Sequence, residues 1–285
     1  MRYAALLALA VCTAGVGPAY SQPSTYSPEA TFAYEQRLGT QIPPDLVFRD
    51  QQGRDVRLGD MFGKRPMILV LAQYRCPMLC NQVLNGLVDC LRGLPVNAGT
   101  DFDVVVVSFD KREGPQLAAA KKATYVADYG RPGTEDGWHF LTASEGGDAN
   151  CGQLAIDTLT LAVGFHYAYS PQQDRYAHPS GVVVLTPGGK PSAYLYGILY
   201  DRDEMKKDLT RAGGDGIGPP VSTYRRVLLL CWDYDATTNT YSANIMKMVR
   251  AGGVLIVFTV GAGIAIAFVR ERRAAARRAA GGSQP

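Results

Sequence analysis

The chain has 285 residues, 47% of them hydrophobic and 19% charged, with a formal net charge of +3. That balance excludes a disordered chain and fits one or two globular domains. Five arginines fall in the last sixteen residues, and no Lys/Arg stripe interleaved with aromatics runs through the middle, which argues against a nucleic-acid partner.

Residues 1–21 read as an export signal: Arg2 supplies the charge, Ala4 to Gly17 the apolar stretch, and Ala19-Tyr20-Ser21 a small-x-small cleavage site. A lipoprotein signal ending at Cys12 is the alternative, but Val11 is bulky and only eleven residues precede that cysteine. If Cys12 leaves with the signal, five of the six cysteines remain. An odd number outside the cytoplasm means at least one unpaired thiol, or a cysteine kept for chemistry.

Residues 22–44 carry Pro, Ser, Thr and Tyr without a clear period and read as a linker, with a helical patch from Glu35 to Leu38. Leu46 to Leu58 alternates apolar and polar residues around a Gln52-Gly53 turn, a hairpin pattern. Pro66 to Ala72 is an apolar run short enough for a buried strand, and Val83, Leu84, Leu87, Val88 and Leu91 recur at helical spacing. Asp103 to Asp110 is apolar on both faces, as interior strands of a parallel sheet are. A helix follows from Gln116 to Tyr129, then a short strand at Trp138 to Thr142, then a helix from Gly152 to Val163 ending at Gly164. Gly181 to Thr186 and Ala193 to Ile198 flank a Pro187-Gly188-Gly189-Lys190 turn and form a second hairpin, and Asp203 to Arg211 is a last helix. This order predicts an α/β domain over 45–212, a mixed sheet flanked by helices.

A Gly/Pro-rich break from Gly213 to Pro220 opens a connector that runs to residue 251. Residues 252–269 carry no charge over 18 positions and as a helix would span roughly 27 Å, near the thickness of a bilayer core. The arginines of the 270–285 tail put that tail in the cytoplasm by the positive-inside rule. An exported N-terminus and a cytoplasmic C-terminus describe a single-pass inner-membrane protein with its globular domain in the periplasm.

The chemistry centres on Tyr74-Arg75-Cys76-Pro77-Met78-Leu79-Cys80, where a strand feeds a helix. Pro77 suits a first helical position. A helix start favours thiolates, so both cysteines are expected to ionise more readily than a free one. Four-residue spacing would stack Cys76 and Cys80 on one helical face, about a turn apart, where two sulfurs can share a soft cation or close to a disulfide. The bland alternative is a buried helical pair with no role. A copper(I) site accepts imidazole as a third ligand, and His178, in a loop at the mouth of a strand, is the candidate. His139 lies inside a strand pattern and His166 among aromatics, so both read as structural. Cys90, Cys151 and Cys231 read as small buried hydrophobes.

Cys76-Pro77-Met78-Leu79-Cys80, Val107-Ser108-Phe109-Asp110, Trp138 to Thr142 and His178-Pro179-Ser180-Gly181 to Leu185 together resemble the Sco (SenC-type) copper-chaperone family, over about residues 45 to 212. The resemblance implies a thioredoxin-like fold and a role in assembling the binuclear copper centre of cytochrome c oxidase. It implies copper, Cu(I) or Cu(II), on Cys76, Cys80 and His178, and a supporting role near the site for Asp110, although Lys111 stands where the family usually has Pro. The implied partners are the copper-accepting oxidase subunit and, beyond it, other copper chaperones or thiol reductants. The membrane helix lies at the C-terminus here, where many family members carry it at the N-terminus. A second function fits the same cysteines: a thiol-disulfide oxidoreductase that keeps the acceptor's cysteines reduced. A peroxidase fits less well, because Gln73-Tyr74-Arg75-Cys76 lacks the Thr-x-x-Cys setting of peroxiredoxins.

Overall fold

The computed structural model describes residues 34–76, 79–144, 151–171, 174–221, 234–235, 240–241, 250–264, 266 and 268–270. The signal segment, Pro77, Cys231 and the tail beyond Arg270 lie outside these residues.

Nine strands and four helices make the domain: β1 (Val47–Arg49), β2 (Asp55–Arg57), β3 (Met67–Ala72), α1 (Leu79–Arg92), β4 (Asp103–Ser108), α2 (Pro115–Tyr129), β5 (Trp138–Ala143), α3 (Cys151–Ala162), β6 (Ala168–Ser170), β7 (Arg175–Ala177), β8 (Gly181–Leu185), β9 (Pro191–Tyr196) and α4 (Arg202–Gly213). Seven strands join in the order β2-β1-β5-β4-β3-β8-β9. β3 runs parallel to β4, and β4 parallel to β5, while β8 returns antiparallel to β3 and β9 antiparallel to β8. A cysteine-bearing helix following an interior strand, β3, of such a mixed sheet is the thioredoxin-like arrangement that the resemblance implies. A further short pair, β10 (Tyr234–Asp235) with β11 (Thr240–Tyr241), is antiparallel.

β3 is buried along its whole length because its two faces serve two cores. Strand side chains alternate in direction. Ile68, Val70 and Ala72 therefore meet Leu84, Leu87 and Leu91 of α1, Tyr125 of α2 and Met205 of α4. Met67, Leu69 and Leu71 meet Ile156 and Leu159 of α3, Phe48 of β1 and Tyr34.

Three expectations need correction. Residues 34–44 are not a free linker and hold no helix: Glu35 N–H donates to the Gly164 carbonyl at 2.8 Å, Ile42 N–H to that of Gly189 at 3.1 Å, and Ile42 is fully buried. Nor does the domain stop at 212. Gly218 N–H reaches the Ser192 carbonyl at 2.8 Å, and Val221 N–H reaches Gln36 Oε1 at 2.9 Å. Both segments are irregular and held by distant partners, so no local period announces them. The β6–β7 hairpin is an element the sequence reading lacked.

A final helix, α5 (Arg250–Arg270), has 21 residues and a mean hydropathy of 2.4 in its apolar window, none of which is buried by the rest of the chain. By length and composition it can cross a membrane.

α1 packs so closely on the loop after β9 that a Cβ at Gly86 would overlap the Ile198 carbonyl oxygen. Backbone on that side has no flexible end to move aside. Gly86→Ala is expected to cost about 1–3 kcal/mol of stability, read as a lower denaturation midpoint with an unchanged denaturant slope.

Candidate functional site

The parallel pair β3 and β4 end side by side, so the loops that follow them meet. After β3 the chain turns: Cys76 N–H donates to the Gln73 carbonyl at 3.2 Å, and α1 begins at Leu79. Cys76 therefore precedes the helix, and only Cys80 lies in its first turn. The expectation that both cysteines share one helical face is corrected on this point. The sulfurs still meet, since the Cys80 thiol hydrogen-bonds to Cys76. Cys80 is buried, Cys76 partly exposed, and neither is in a disulfide.

The turn is held from β4. Glu113, buried, accepts the N–H groups of Tyr74 and Arg75, both at 2.7 Å, and the Ser108 hydroxyl at 2.7 Å. The Tyr74 hydroxyl donates to the carbonyls of Val106 and Leu141 at 2.9 and 2.8 Å, tying the turn to β4 and β5. Gln73 contributes twice: its N–H points at Cys80 Sγ at 3.2 Å, and its amide Nε2 donates to Asp110 at 3.1 Å.

His178 arrives from the other side of β3. Because β8 is antiparallel to β3, the start of β8 lies beside the end of β3, and the short loop leading into it, with His178 three positions before the strand, faces the cysteine turn. His178 Nε2 stands 3.4 Å from Cys80 Sγ. Its Nδ1 lies 2.9 Å from the Pro179 carbonyl and donates to it, which leaves Nε2 the ring's open lone pair. The ring packs on Phe109 and Phe165, at centroid distances of 5.1 and 6.0 Å.

Asp110 is fully buried. It accepts Gln73 on one side and Arg112 on the other, with Arg112 Nη2 at 2.7 Å and Nε at 2.8 Å. Burial pushes its carboxyl up, but the Arg112 hydrogen bonds and charge outweigh that and hold it below the usual carboxylate range. Glu113 goes the other way, raised chiefly by burial.

The Cys80 thiol is pushed well up, first by its hydrogen bond to Cys76, then by burial and by the charge of Cys76, with Glu113 adding to the effect and Gln73 N–H opposing it. The expected ease of ionisation therefore does not hold for Cys80. The other histidines stand apart. His139 on β5 is lowered by burial, and His166 is exposed, 3.3 Å from Glu35 Oε2, rather than packed among aromatics. Cys90 is buried under α4 with its thiol pushed up to about 11 by burial. Among the described residues no group of three or more His, Cys, Asp or Glu stands ready to hold a metal ion. The site is a Cys80–His178 pair with Cys76 against the first sulfur.

Sequence reasoning missed Glu113, Gln73, Ser108 and Arg112. A charged residue five positions past a parallel strand, next to the strand that feeds the cysteines, was the available signal for Glu113.

No family model matches the chain, and neither does any curated protein. Solved structures do. A candidate electron transfer protein from Aquifex aeolicus VF5 is 25% identical with a TM-score of 0.53, over 62% of this chain and 95% of that one. A candidate electron transport protein from the same organism is 25% identical with a TM-score of 0.50, over 62% and 99%. Copper-bound ScoI from Arabidopsis thaliana is 18% identical with a TM-score of 0.44, over 60% and 97%. The likeness is one of fold.

The two carboxyls give opposite pH signatures. Asp110, lowered, contributes stability that is present above the unfolded value of 3.8 and lost as pH falls. Glu113, raised, contributes stability that is full below 4.5 and lost as pH rises through its folded value. Relative to Glu113→Gln, the unaltered protein is expected to lose stability as pH climbs from 4.5 to neutrality, measured as the difference in denaturation midpoint across pH. A difference independent of pH would contradict the raised carboxyl.

Proposed function

We propose that this chain is a Sco-type, membrane-tethered protein that carries one copper ion on Cys76, Cys80 and His178 and delivers it to the copper-accepting subunit of cytochrome c oxidase. The observation that carries the reading is the 3.4 Å approach of His178 Nε2 to Cys80 Sγ, with Cys76 hydrogen-bonded to the same sulfur. A sulfur and an imidazole nitrogen bound to one borderline-soft ion would lie about 3.6 Å apart, so the pair is spaced for a shared cation. Two sulfurs with one imidazole suit copper(I), and imidazole retains copper(II). A cation would also relieve what keeps Cys80 protonated, because its charge offsets a second thiolate beside the first.

The chain's own residues do the rest. Glu113 and Gln73 fix the turn that carries the sulfurs. Nδ1 donation to Pro179 orients the His178 ring, and Phe109 and Phe165 pack against it. Asp110 stands behind Gln73 as a support rather than a ligand. The partly exposed Cys76 is the sulfur an acceptor reaches first, so cargo leaves by ligand exchange at that side. The apolar helix α5, with the basic tail after it, supports an inner-membrane anchor with the domain in the periplasm and the C-terminus in the cytoplasm, following export by the 1–21 signal. Other copper chaperones and thiol reductants are further partners on this reading.

The contact between two reduced sulfurs favours one second reading, reduction of a target disulfide. Cys76 thiolate would attack a target sulfur, forming a mixed disulfide and releasing one target thiol. Cys80 would then attack Cys76 and release the other, leaving the pair oxidised and the target reduced by two electrons.

The purified full-length chain in reductant is expected to hold one copper per molecule. Cys76→Ala and Cys80→Ala should each abolish retention, while Cys90→Ala should leave it intact. His178→Ala should keep Cu(I) on the sulfurs but lose the visible absorption of the Cu(II) form. Affinity should fall as pH drops, since protons compete for sulfur. Stoichiometric copper on the double cysteine variant would reject the carrier reading; oxidase maturation preserved in His178→Ala with copper binding lost would favour the thiol route.

A further inference from the structure

The β6–β7 hairpin stands outside the seven-stranded sheet as a sheet of its own, and β7 runs directly into His178. Two strands of three residues each are not stable alone in water. The position of the imidazole therefore depends on what fastens this hairpin. Part of the fastening is aromatic: the Tyr176 ring meets Phe109 edge-on at 5.4 Å, and Tyr167 meets Phe109 at 5.1 Å.

A second part is one side chain. Arg112 donates from Nε and Nη2 to the buried Asp110 at 2.8 and 2.7 Å, and from Nη1 to Asp174, at the hairpin turn, at 2.9 Å. Its guanidinium carbon lies 5.2 Å from the Tyr169 ring centre and 5.7 Å from that of Tyr176, one on each strand of the hairpin. The Tyr169 hydroxyl also donates to Asp174 Oδ1, at 2.6 Å. On its other side Asp110 accepts Gln73, whose N–H points at Cys80. Arg112 thus connects the turn carrying the sulfurs to the hairpin carrying the imidazole. An arginine is needed here, because only a planar fork meets two carboxylates with its edges while its flat face covers rings.

We propose that Arg112 is a positioning residue, a latch that fastens the β6–β7 hairpin to Asp110 and so holds the His178 ring against Phe109 within reach of Cys80. The consequence for cargo rests on the copper reading: latched, the protein offers two sulfurs and an imidazole; unlatched, the sulfurs alone. The latch itself is a property of the metal-free protein and is testable there.

The chain has three histidines, so labelling ring Cε1 alone with 13C gives three signals from the full-length, reduced, metal-free protein in detergent. The ring currents of Phe109 and Phe165 displace the His178 signal, and exposed His166 marks the undisplaced position. Arg112→Met and Asp174→Asn are expected to move the His178 signal toward that position and leave His139 in place. Amide exchange over 168–178 should quicken roughly two- to tenfold. A role only in overall stability would move His139 as well. Should Arg112→Met fail to fold, Asp174→Asn decides, since it keeps the Arg112–Asp110 bonds and alters one exposed residue. An unmoved His178 signal in Asp174→Asn overturns the latch. Copper titration of the unaltered chain separates the two claims: no copper bound, with His178 still displaced by the variants, sinks the carrier reading and leaves the latch.

Discussion

Two backbone N–H groups in the turn after β3, those of Tyr74 and Arg75, decide where the sulfurs lie. Tyr74 is buried, so a donor there without an acceptor would cost about 1–3 kcal/mol. The carboxylate of Glu113 takes both donors at once, and the Ser108 hydroxyl with them. One side chain in the loop after the neighbouring strand β4 thereby sets the turn that carries Cys76. The arrangement has an electrostatic side effect, because an acidic group beneath the turn discourages negative charge on Cys80. A site built over Glu113 is poorly suited to two bare thiolates and better suited to a guest that brings positive charge.

That balance also explains why the helix start does not dominate Cys80. A helix macrodipole is worth about 0.3–1 kcal/mol near the first turn at an exposed position, less than one unit of pKa at about 1.4 kcal/mol per unit. Burial and a second sulfur in hydrogen-bond contact both act against it, and each can shift a buried thiol by more than that. Cys76 stands ahead of the helix and is partly exposed, whereas Cys80 is buried. The two sulfurs are chemically unequal although their spacing looks symmetric.

What was legible in the chain divides along the same line between local and distant causes. β3, β4 and β8 declare themselves as short apolar runs because each is buried on both faces, and α3 declares its end through Gly164, which adopts a left-handed backbone with φ of +64°. The nearness of Cys76 and Cys80 follows from four-residue spacing in any compact turn. Their relation to α1 does not, because where a helix begins depends on which donors find acceptors elsewhere. Residues 34–44 look like a linker since their partners, Gly164, Gly189 and Pro191, lie far along the chain. The β6–β7 hairpin hides in a run of aromatics. Among the three histidines, composition could not choose. The antiparallel return of β8 alongside β3 does, since it sets the loop leading into β8, which holds His178, at the cysteine turn and leaves His139 within β5.

The C-terminal helix poses a problem opposite to that of the domain. Single exposed apolar side chains are ordinary on a protein surface, but α5 exposes Val257 and Phe258 at 72% each within an unbroken apolar stretch. Such a surface needs an apolar surrounding, and a bilayer supplies one at this length. If α5 is the anchor, it bears on the delivery reading through concentration rather than affinity. A carrier and an acceptor held to one membrane meet at an effective concentration set by their tethers, so the cargo site need not bind its acceptor tightly. On that reading an exposed sulfur would start the exchange and an imidazole held in reach would retain the ion, dividing the labour between Cys76 and His178.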